Sequence, residues 1–124
     1  MIKFTVICKS NHWPARVKKI TSIIKKILKF KKDLKFRQAI NYNCNIILAD
    51  NNLIKKINYK FRKKKQPTDV LTFVSEIRKK NIKKFKICDI FISAEIIKKD
   101  AKRNNTTFYD HFTHILIHSF LHIN

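Results

Sequence analysis

The 124 residues, 44% of them apolar, suit one domain with one modest hydrophobic core and exclude a disordered tail. With 29 Lys and Arg against 8 Asp and Glu, the net charge of +21 predicts attraction to a polyanion, most readily RNA or DNA. The same sequence holds no Gly and 2 Pro amid many Lys, Asn, Ile and Phe, a bias that A/T-rich codons also produce, so the charge permits nucleic-acid binding without proving it.

Met1 to Val6 lacks the layout of a signal peptide, and Lys or Arg interrupts every apolar run before the roughly 18 residues that span a bilayer. A cytoplasmic protein without a membrane partner is expected. Residues 2–8 set Ile2, Phe4, Val6 and Cys8 against Lys3, Thr5 and Ile7, which predicts a half-buried strand. Pro14 suits a first helical turn, and Ile20, Ile23, Ile24, Ile27 and Leu28 form the apolar stripe of an amphipathic helix. The run from Asn45 to Ala49 reads as a buried strand. Asp50 then caps a short helix carrying Leu53, Ile54 and Ile57. A basic loop from Lys60 to Lys65 leads through Gln66, Pro67, Thr68 and Asp69 into a third strand at Val70 to Val74. Arg78 to Lys86 reads as a hairpin-type loop before a fourth strand, Ile87 to Ile92. Ser93 caps a helix from Ala94, and a last helix begins near Thr107, with Asp110 completing a weak capping box. The order βα–βα–ββ–αα predicts a single α+β domain. Cys8, Cys44 and Cys88 are too scattered for a disulfide framework or a metal clip and read as small core hydrophobes. Without glycine, any turn that needs a positive φ must use Asn, Asp or Lys at some cost in strain.

Two groups of residues carry chemistry. His111, His114, His118 and His122 are spaced three, four and four apart, which puts them on one stripe of the last helix. His118 and His122, one turn apart, can reach one metal ion from the same side, although a lone pair of this kind is also an ordinary polar helix face. A zinc protease of the His-Glu-x-x-His type is disfavoured, because Ser119 stands where its glutamate would be. The second group is Lys60, Phe61, Arg62, Lys63, Lys64 and Lys65, cations interleaved with an aromatic and suited to phosphates. Taken alone, it is equally a solvated basic loop.

Together these segments resemble the YbeY family. Cys44 to Asp50, then Ile57 to Arg62, then Gln66 to Phe73 are similar to its Asn-x-x-aromatic-Arg element and its Pro-Thr-Asp-Val-Leu-Ser-Phe strand start. Ile87 to Ser93 looks like its Leu-Gly-Asp-Ile strand, and His114 to His122 like its metal helix. The likeness is close over 44–124 and general before that, so the whole of 1–124 is expected to be one YbeY-like domain. It implies a mixed, roughly four-stranded sheet packed on helices, with a central metal-binding helix. It implies a metal-dependent, single-strand-specific endoribonuclease acting in 16S ribosomal RNA 3′-end maturation and ribosome quality control. The expected partners are single-stranded RNA, ribosomal RNA and the small ribosomal subunit, with no small-molecule cofactor. Arg62 and His118 are implied as catalytic, His118 and His122 as ligands of one zinc ion, and Lys60, Arg62, Lys63, Lys64 and Lys65 as RNA-binding. Three family glycines are replaced, by Lys63, Cys88 and Ser119. The third family ligand would fall at position 128, beyond Asn124, and the family's Gly-Tyr-Asp-His turn is absent, so zinc held by two ligands is expected to be weak. The rival reading is a non-catalytic RNA- or ribosome-binding relative with a truncated or degraded metal site.

Overall fold

The computed structural model describes residues 1–64, 68–78 and 84–124. Strand β1 (Ile2–Cys8) leads through a single 3-10 turn at Pro14–Arg16 into helix α1 (Val17–Leu28). Strand β2 (Ile40–Ala49) is followed by α2 (Asn51–Arg62), β3 (Val70–Ile77), β4 (Lys84–Ser93), α3 (Ala94–Arg103) and α4 (Phe108–Ile123). The four strands form one mixed sheet in the order β1-β2-β4-β3. The β1–β2 and β2–β4 pairs are parallel, each bridged by a crossover that contains a helix, and β3 closes one edge antiparallel to β4.

Alternation along the central strands sorts the two faces. Tyr42, Cys44, Ile46 and Leu48 of β2 join Cys88, Ile90 and Ile92 of β4 in one buried cluster. That cluster includes Ile20, Ile24 and Ile27 of α1, Ala94 and Ile97 of α3, and Phe112, Leu116 and Phe120 of α4. The other face is smaller: Ala49, Ile54 and Leu71 are buried beneath Leu53, Ile57, Phe73 and Phe91. Three helices therefore cover one face and α2 the other. Helix α4 packs against α1, α3 and the edge strand β3.

Local chemistry explains the boundaries. Asp50 accepts from the Leu53 amide at 2.9 Å, Ser93 from Ile96 at 3.4 Å and Thr107 from Asp110 at 3.1 Å, so α2, α3 and α4 each start on a side-chain cap. Lys35, Lys63 and Asn105 take positive φ of 67°, 57° and 55°, the substitution for glycine that the composition requires. At the far end of α4, the Lys86 ammonium donates to the Ile123 carbonyl at 3.3 Å, satisfying a terminal acceptor with a favourable charge.

Three expectations need adjustment. Lys60, Phe61 and Arg62 lie in the last turn of α2 rather than in a loop, because the apolar spacing Ile54–Ile57 anchors a helix that continues past it. Strand β3 runs past Val74 to Ile77, and β4 begins at Lys84, inside the predicted hairpin loop; Glu76 pairs with Lys84 at 2.8 Å across the two strands. Cys8 is exposed, since it ends β1 at the sheet margin; only Cys44 and Cys88 are buried.

Candidate active site

Helix α4 is held by one fully committed face. Phe112, Ile115, Leu116, Ser119, Phe120 and Ile123 are buried, which turns the remaining stripe outward. His114, His118 and His122 are exposed on that stripe. The rings of His114 and His118 meet edge to face with centroids 4.9 Å apart. His111 is half-buried and turns toward α3, its Nε2 lying 3.9 Å from Asp100 Oδ2. Among the described residues, no three His, Cys, Asp or Glu side chains converge to hold a metal ion. His118 and His122 thus offer two imidazoles to an ion, one donor short of the three that catalytic zinc sites use. Two imidazoles are a partial donor set for such an ion.

The cationic group forms where α2 stops. Lys63 takes the left-handed conformation that ends the helix, its amide donating to Tyr59 O at 3.0 Å. One residue earlier, Arg62 lies against the edge strand. Its Nη2 is 3.5 Å from the Thr72 carbonyl, and its guanidinium carbon is 5.7 Å from the Phe73 ring centroid. Phe61 leans on the same Phe73 ring at 5.3 Å. Lys60, Lys63 and Lys64 are exposed around them. Lys65, with Gln66 and Pro67, lies outside the described residues. Asp69 serves the scaffold: its carbonyl accepts from the Ser93 amide at 3.0 Å, and its carboxylate from Thr68 at 3.2 Å.

Edge strand β3 neighbours both helices. Arg62 approaches it from the α2 face, while α4 packs against it on the opposite face. Among the described residues, no hydrogen bond or ion pair joins Arg62 to His118. Among the described residues the ion pairs engage Glu76, Glu95 and Asp100, which leaves most of the described Lys and Arg without an acidic partner. A surface of that kind draws polyanions over about a Debye length, roughly 8–10 Å at physiological salt.

The three replaced glycines each have a structural account. Lys63 carries φ 57°, a conformation glycine takes without strain. Cys88 is fully buried and lies directly opposite Cys44 in the parallel pair. Ser119 is buried and returns its hydroxyl to the Ile115 carbonyl at 3.0 Å. Two polar contacts went unread in the sequence. Asn45 Nδ2 donates to Asp89 Oδ1 at 2.8 Å between adjacent strands, and Ser93 Oγ donates to Asn51 Oδ1 at 2.6 Å. The available signal for the first was Asp89, the one acidic residue within β4.

Residues 6–124 match the family model described as Endoribonuclease YbeY. A protein of that name from Pelagibacter ubique is 38% identical over 125 residues, covering 99% of this chain and 80% of its own length. Another, from Ehrlichia ruminantium, is 36% identical and covers 99% of this chain and 75% of its own length. One from Buchnera aphidicola is 41% identical over 67% of this chain and 53% of its own length. In fold, the chain is similar to a Thermotoga maritima protein solved in solution, with a TM-score of 0.63 at 24% identity over 98% of this chain and 71% of that one.

Proposed function

The chain belongs to the endoribonuclease YbeY family, and we propose that it is a hydrolase that cuts single-stranded RNA internally. Its substrate would be 16S ribosomal RNA during 3′-end maturation and ribosome quality control, in the cytoplasm beside the small ribosomal subunit. One observation carries the reading: Arg62 stands at the exposed end of α2 among Lys60, Lys63 and Lys64, with an aromatic surface beneath it.

The steps follow from the chemistry of those side chains. Lys60, Lys63 and Lys64 hold the RNA backbone by displacing its counterions. Arg62 binds the scissile phosphate through its planar fork and neutralises charge that develops there as the bond breaks. His118 and His122 would hold one zinc ion, whose chemistry is to polarise a phosphoryl oxygen or activate a water. The second reading is a relative that binds RNA or the ribosome without cutting, which the exposed basic end of α2 suits equally.

The two readings separate in one assay. A labelled single-stranded RNA and its duplex are incubated with the chain, with and without Zn²⁺. Internal cuts in the single strand alone support the enzyme. Salt-sensitive binding without cuts at any metal concentration supports the rival.

A further inference from the structure

We propose that Phe61, braced by Phe73, is a nucleobase-stacking site that works beside Arg62 and gives the chain its preference for unpaired RNA. The proposal rests on the RNA-binding reading above.

A single exposed phenylalanine is ordinary on a protein surface. Phe61 differs in being both fixed and open. Its ring sits 5.3 Å from Phe73 at 57°, and Phe73 meets Phe91 edge to face at 6.0 Å. Both of those rings pack on the buried cluster of Ala49, Ile54 and Leu71. The chain of rings fixes the aromatic in place, yet Phe61 remains 59% exposed. A preorganised ring loses little freedom when a base stacks on it. Lys60 Nζ lies 5.4 Å from the Phe61 centroid, a weak exposed contact that a base can displace.

The neighbourhood decides which flat ligand fits. Arg62 and Phe61 both lean on Phe73, so a phosphate donor and a stacking surface share one base plate. A ligand that matches both carries a π-face beside a phosphodiester, which is a nucleotide strand. In a duplex the base faces are already stacked on their neighbours, so only an unpaired strand can use both contacts.

The test compares binding of two probes, a short oligoadenylate and an abasic ribose-phosphate chain of equal length, at several salt concentrations. Phe61→Ala should weaken oligoadenylate binding roughly 10-fold or more, leave the abasic chain unaffected and keep the same salt slope, since no cation is removed. Phe61→Trp should bind oligoadenylate at least as tightly as the natural chain. Phe61→Ala binding oligoadenylate as tightly as the natural chain, or losing equally on both probes, overturns the stacking site alone. Failure of the natural chain to bind either probe in a salt-dependent way overturns the RNA reading together with it.

Discussion

The indole of Trp13 is fully buried and donates its single N–H to the carbonyl of Ala49 at 2.7 Å. Ala49 is the last residue of β2, directly before the Asp50 cap of α2, so the tryptophan ties the first crossover to the start of the helix that carries Arg62. It also packs edge to face on Phe108 and Phe112 of α4. Trp13→Phe keeps most of the packing and strands the carbonyl, which should lower the unfolding free energy by about 1–3 kcal/mol. Chemical denaturation checks the value. A loss below a few tenths of a kcal/mol would mean that water replaces the indole freely.

Lys63→Gly should stabilise the chain, because a side chain at positive φ costs roughly 1–2 kcal/mol that glycine avoids, less the freedom glycine gains when unfolded. The net gain expected is up to about 1 kcal/mol. Lys64→Gly removes the same charge outside the helix and serves as control. Equal effects of the two substitutions would show that charge, and not backbone strain, was relieved.

The cysteines separate by burial. The hydrogen bond with Cys88 and then burial push the Cys44 thiol well above its ordinary value, so it stays protonated and unreactive at neutral pH. Cys8 is exposed. A thiol reagent should therefore modify one cysteine quickly in the folded chain and three after denaturant is added. Two fast thiols under native conditions would contradict the buried pair.

The strands, caps and apolar stripes were legible because period and cap chemistry are local properties. Ile20, Ile24 and Ile27 are buried along the predicted stripe, and Asp50, Ser93 and Thr107 cap the predicted helices. What escaped depends on partners distant in sequence. Trp13 finds Ala49 across 36 positions, and Asn45 finds Asp89 across 44, which no local pattern announces. The exposure of Cys8 follows from β1 being an edge strand, a fact of topology rather than composition. The histidine stripe was readable from spacing alone. The nearness of Arg62 to Phe73 was not, because it arises only when α2 lies on β3.

Zinc should bind weakly, and His118→Ala or His122→Ala should abolish that binding. His114→Ala should leave it, although its ring touches His118. An extension that places a histidine at position 128 should tighten binding by completing three ligands. Titration with a competing chelator reads all four. Equal zinc content in the natural chain and both ligand variants would remove the pair from the site.

Arg62 decides whether the basic end of α2 acts on the phosphate or only attracts it. With 29 Lys and Arg in the chain, removing one cation barely changes the long-range pull on RNA. The measurement is single-turnover cleavage alongside RNA affinity, for the natural chain, Arg62→Lys and the neighbouring control Lys64→Ala, each also carrying the histidine extension. A planar fork acting on the transition state predicts that Arg62→Lys loses on the order of 10²-fold in turnover with affinity nearly unchanged, while Lys64→Ala keeps its turnover. If Arg62→Lys and Lys64→Ala behave alike in both measurements, Arg62 is one cation among many and the proposed catalytic role is wrong.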